Sequence, residues 1–173
     1  MTQFAQWLAT TAPSVFLQRN NAWTIPTIQS IHIMGIAMVL GSALMIQLRI
    51  MGWAWMDQSL RRTVDRFGPW LTNSLCLLLA TGVLLVIGEP VRELVTFSFW
   101  AKMFFVALAT IIIVAFRRNF RREESEWEQW KTGRTPTRAV VLLMLVVWVA
   151  IIVLGRLIAY DHVWGAWSPA TKA

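Results

Sequence analysis

The chain has 173 residues, 57 % of them hydrophobic, with 11 tryptophans and a mean hydropathy of +0.55. Charged residues make up only 14 %, against about a quarter in a soluble domain, so a soluble globular fold is excluded and a lipid bilayer is the expected surroundings. The net charge of +7 comes from basic residues flanking apolar runs; this pattern sets membrane orientation and leaves no free basic element for a nucleic acid, so no nucleic-acid partner is expected.

The opening stretch, about residues 1–24, has no charge before Arg19 and mixes polar with apolar residues. It lacks the layout of a cleavable signal and is expected to lie in the membrane interface through Phe4, Trp7, Leu8, Val15 and Phe16. No charge falls between Arg19 and Arg49, so a first span is predicted over about 26–48, with Pro26 in its first turn, where a missing N–H does no harm. A second span is predicted over about 70–88, uncharged throughout. The third, about 97–116, holds one charge, Lys102, and the fourth, about 139–160, holds one, Arg156. Each reaches the roughly 20 apolar residues that a hydrocarbon core requires. The predicted fold is one all-α membrane domain, residues 1–173, a four-helix up-down bundle. The single cysteine, Cys76, excludes an internal disulfide and reads as a small packing residue.

The loops give direction. Segment 49–69 carries Arg49, Arg61, Arg62 and Arg66, and segment 117–138 carries Arg117, Arg118, Arg121, Arg122, Lys131, Arg134 and Arg138. The stretch GEPVRELVT between spans two and three has one arginine and two glutamates. Positive residues collect in cytoplasmic loops, so both termini are expected in the periplasm of a bacterial inner membrane. The acidic run EESEWEQW in the third loop is spaced to pair with neighbouring arginines and to carry span three onwards as a helix.

This direction places the polar residues of the spans at one depth. His32 lies about two turns from the outer end of span one, Lys102 one to two turns inside span three, and Arg156 about one turn short of the end of span four. Tyr160, Asp161 and His162 follow, and Glu89 and Glu93 lie in the outer loop. On span one, Gln29, His32, Gly35, Val39, Ser42 and Arg49 share a face of polar and small residues, which favours close helix approach. Asn73, Cys76 and Ala80 are the matching face expected on span two. Charged groups in a bilayer usually face the bundle and find partners, so Gln29, His32, Lys102, Arg156, Tyr160 and His162 form the candidate site. The alternatives are Lys102 and Arg156 reaching out to headgroups and His32 bonded to a backbone carbonyl or Gln29.

Three ligand chemistries fit such a layer. A quinone needs a donor or acceptor at each carbonyl beside an apolar slot, which His32, Lys102, Tyr160 and Arg156 supply. Haem b would take His32 as an axial iron ligand, with Lys102 and Arg156 at the propionates. The second ligand would be a methionine, Met34, Met38 or Met103, because His162 lies beyond the membrane. Copper handling would use His32, His162 and the stripe Met34, Met38, Met45. A chain with no cofactor, a structural or accessory subunit of a larger membrane complex, is the remaining alternative. No phosphate loop, membrane-depth carboxylate pair or serine–histidine arrangement is present, so no enzyme activity is expected from the chain alone. The expected role is an electron-transfer membrane subunit, the anchor of an oxidoreductase, working with other membrane or periplasmic protein subunits.

Ser30 to Gly52 (SIHIMGIAMVLGSALMIQLRIMG), the F-x-x-K of Phe99 and Lys102, and G-R-x-I-A-Y from Gly155 to Tyr160 resemble a family of small bacterial four-helix inner-membrane proteins. That family is distantly similar to copper-resistance D-type proteins and to small b-type cytochromes, which implies a haem, quinone or copper role. Where the resemblance implies an acidic residue before the Leu-Arg pair, this chain has Gln47.

Overall fold

The computed structural model describes residues 2–122, 135–158 and 160. Two short helices, α1 (Thr2–Ala9) and α2 (Ala12–Arg19), lead into α3 (Asn21–Met51). Then come α4 (Leu60–Gly88), the short α5 (Pro90–Leu94), α6 (Phe97–Arg122) and α7 (Thr135–Ile158). Four of these, α3, α4, α6 and α7, are long and apolar enough to cross a membrane, and no strand occurs among the described residues.

The helices outrun the predicted spans. Pro26 sits inside α3, not in its first turn, because α3 begins at Asn21. Pro69 is likewise interior to α4, which starts ten residues ahead of the expected 70. The Ser59 hydroxyl accepts from Arg62 N–H at 3.2 Å and caps that start, and Arg61 pairs with Asp65 one turn on at 3.5 Å. At the end of α3, Gly52 takes the left-handed conformation at φ 74°, and Trp53 N–H donates to Leu48 O at 3.0 Å, a closure that needs a residue without a side chain. Arg49, 5 % exposed, donates from Nε to Gln58 O at 2.8 Å and so ties the α3–α4 loop against the helix end.

α3 packs along α4, α6 along α7, and α3 touches α7. α1 rests on α5 and α2 on α4, so the short helices gather at one end of the bundle. The loop held by Arg49 marks the other, called here the arginine end. The buried core, with Ala43, Ile50, Leu71, Phe120, Met144 and Trp148 among its members, lies in the arginine half. Large apolar side chains such as Ile33, Leu79, Phe104, Ile111 and Val146 point outward; a patch of that extent is accounted for by lipid contact. Hydroxyls in the spans bond back along their own helices, Thr27 to Trp23 O at 2.7 Å, Ser42 to Met38 O at 2.7 Å and Thr110 to Val106 O at 2.8 Å. This removes the cost of a bare polar group in hydrocarbon.

On α3 the expected stripe is where the helix is covered: Gly35, Val39, Ser42 and Arg49 are buried, and Gln29 and His32 are half-buried. The expected face of α4 is corrected. Asn73, Cys76 and Ala80 are exposed, Cys76 included, and the covered residues are Leu71, Ser74, Thr81 and Gly88. The seam between α3 and α4 is close. A Cβ at Gly35 would lie 2.9 Å from Leu78 Cδ2 and 3.3 Å from its Cγ, whereas one at Gly41 would meet nothing within 4 Å. Gly35→Leu is therefore expected to destabilise the protein by about 1–3 kcal/mol through overpacking. Gly41→Ala should be neutral or stabilising by up to about 1 kcal/mol. Unfolding in detergent micelles measures both.

Candidate functional site

At the end opposite the arginine loops, three ionisable side chains come from α3, α5 and α6: His32, Glu93 and Lys102. His32 leaves α3 toward α4, and its Nδ1 lies 2.7 Å from Thr81 Oγ1. Thr81 is buried and its hydroxyl donates to Leu77 O at 2.7 Å. With that proton committed to the carbonyl, Thr81 accepts from Nδ1–H, and the lone pair of His32 is on Nε2. Gly82 lies beside the ring: a Cβ there would stand in ordinary contact, 3.7 Å from His32 Cε1.

Lys102 sits five residues into α6, half-buried, with its Cε and Nζ each 3.7 Å from where a Cβ would stand on Gly155 of α7. Its charge acts on both His32 and Glu93. Glu93, on α5, is half-buried as well. Burial raises its pKa above the usual carboxylate range, opposed by Lys102 and Arg92 and reinforced by Glu89. The short helix carrying it is held from both sides: Arg92 bridges to Glu89 at 2.7 Å, and Trp100 Nε1 donates to Leu94 O at 3.0 Å. The result is an imidazole with an available lone pair, an amine and a carboxyl group in one neighbourhood, framed by glycines on α4 and α7. Such a set can hydrogen-bond a carbonyl or hydroxyl and can exchange protons with the bundle end.

The other expected site residues fall elsewhere. Arg156 is exposed; its guanidinium lies 5.0 Å over the Tyr160 ring and donates to Tyr160 Oη at 2.9 Å. This pair turns outward, while Gly155, one residue earlier, faces Lys102. Gln29 is half-buried on α3, one turn before His32. His162 and Asp161 lie outside the described residues. Met34 is 64 % exposed and Met103 is exposed too, so neither points at His32. No three His, Cys, Asp or Glu side chains gather to hold a metal ion among the described residues. Sequence reading missed Thr81, whose one available signal is its place in the seven-residue spacing of Ser74, Thr81 and Gly88.

The model of a family described as of unknown function, DUF6644, matches residues 6–161. The chain belongs to that family. No curated protein and no solved structure matches the chain.

Glu93 makes stability depend on pH. Below the usual carboxylate range it is protonated whether the chain is folded or unfolded. As pH rises through that range the unfolded chain ionises first, because the folded carboxyl holds its proton to higher pH. Thermal stability is therefore expected to fall as pH rises above about 4, and Glu93→Gln is expected to flatten that slope in melts of the micelle-bound protein.

Proposed function

We propose that this protein is an electron-transfer subunit of a bacterial inner membrane that binds a quinone at the end of the bundle carrying His32, Lys102 and Glu93. Positive loops flank the opposite end, so by the positive-inside rule this site and both termini face the periplasm, where a periplasmic redox partner would supply electrons. The convergence of His32, Lys102 and Glu93 from three helices carries the proposal, since ionisable groups at membrane depth are costly and mark functional positions. Quinone reduction takes up two electrons, from the partner, and two protons. Lys102 would polarise one carbonyl, His32 Nε2 would bond the developing hydroxyl, and Glu93 would pass protons from the aqueous edge.

Haem b fits less well, because the methionines available as a second axial ligand turn away from His32 or, as with Met38, share its helix. Copper has the same difficulty with Met34. The competing role, a structural subunit without a cofactor, makes the opposite prediction for His32.

The test is titration of the purified, delipidated protein with a short-chain ubiquinone analogue, read by tryptophan fluorescence. His32→Ala should weaken binding about tenfold, the loss of roughly one buried hydrogen bond, while Arg156→Gln should leave it unchanged. A protein that binds no quinone, shows no haem absorbance and keeps full partner activity after His32→Ala would establish the structural role instead. Stoichiometric metal by elemental analysis would support copper.

A further inference from the structure

The arginine half of the bundle contains a cavity of about 300 Å³, within the range of small-molecule sites. All four long helices line it, through Ala43 and Gln47 of α3, Leu71 of α4, Phe116 of α6, and Met144 and Trp148 of α7. The walls are apolar apart from a few groups. Two of these are unpartnered: Gln47 Oε1 and Trp148 Nε1 make no hydrogen bond, though the residues are only 7 % and 6 % exposed. Leaving both bare in hydrocarbon costs free energy that a ligand with one donor and one acceptor would recover.

The rim shows what kind of ligand. Arg117 lines the cavity and also an adjoining recess with Arg61, Asp65, Phe120 and Arg121. Three arginines and one aspartate line that recess, and Arg61 pairs with Asp65. Arg117 is fixed at the junction: Nη1 donates to Thr72 Oγ1 of α4 at 2.8 Å, and Nη2 passes 3.0 Å from where a Cβ would stand on Gly68. A side chain at residue 68 would displace the guanidinium. α4 packs mainly on α3 and α6 on α7, so this bridge joins the two helix pairs.

We propose that the cavity and its arginine rim bind an anionic glycerophospholipid from the adjacent leaflet. An acyl chain enters the cavity, the phosphate lies at Arg117 and Arg121, and an ester carbonyl accepts from Trp148 Nε1. Basic pockets between membrane helices recognise anionic headgroups in this manner, and the inward Trp148 N–H adds a demand that a plain hydrocarbon chain does not meet. This site is separate from the His32 layer and stands whether or not that layer takes a quinone.

The test uses delipidated protein in neutral detergent, with phosphatidylglycerol, phosphatidylcholine or inorganic phosphate added. Phosphatidylglycerol at about 100 times its dissociation constant should raise Tm by roughly 5–10 °C, and the other two should give little shift. Arg117→Gln should at least halve the shift, and Ala43→Phe, which fills the cavity, should abolish it. If Ala43→Phe does not fold, Arg117→Gln decides. Equal shifts from phosphatidylcholine, an equal shift from inorganic phosphate alone, or a full shift in Arg117→Gln would each overturn the proposal.

Discussion

A polar atom facing hydrocarbon has no water to bond, and most of this structure follows from that constraint. It makes the spans helical, since only a helix satisfies a backbone within one segment. It turns the hydroxyls of Thr27, Ser42 and Thr110 back onto carbonyls of the preceding turn. Groups that cannot be satisfied along their own helix have to find another, and these become cross-helix contacts: His32 to Thr81, Arg117 to Thr72. Tertiary order in this bundle is marked by those exceptions, because lipid and leucine are equally apolar and burial alone does little to choose partners.

A level could be read from the sequence; direction around the helix could not. Counting residues from the span ends placed His32, Lys102 and Arg156 at one level. Level does not determine azimuth, and Arg156 shows why. One residue separates it from Gly155, which faces Lys102, and a helical step of about 100° is enough to turn the guanidinium outward onto Tyr160. The covered face of α4 failed for the same reason. Asn73, Cys76 and Ala80 and the true set Ser74, Thr81 and Gly88 are both stripes of small residues, one position apart. The choice between them was made by His32, Leu78 and Gly35 on and against α3, which a single helix pattern does not contain. On α3 itself the expected stripe was covered at Gly35, Val39, Ser42 and Arg49, beside large residues such as Ile28 and Ile46 that it did not include.

Helix ends were the other illegible feature. Apolarity stops where the hydrocarbon stops, but the hydrogen-bond ladder does not. α4 extends back to Leu60 because Ser59 caps it and the Arg61–Asp65 pair supports its first turns. Pro26 and Pro69 lie inside helices at the cost of one backbone bond each, and both are exposed.

The two halves of the bundle are built differently, and this bears on what each can do. The arginine half holds the large apolar cluster around Ala43, Ile50, Leu71, Met144 and Trp148, and Arg49 secures its loop. The half with α1, α2 and α5 has fewer buried apolar residues and its ionisable groups meet through small residues, Gly82 and Gly155. A site that takes up and releases a ligand needs neighbours that can shift, and regions with few buried apolar contacts are those that open at low cost. The buried apolar cluster and the Arg49 bond to the loop tie the long helices together in the arginine half, around the cavity they enclose. At the other end the position of Lys102 against Gly155 matters: its Cε and Nζ stand 3.7 Å from the place of a Cβ there, so a large residue at 155 would press on the amine.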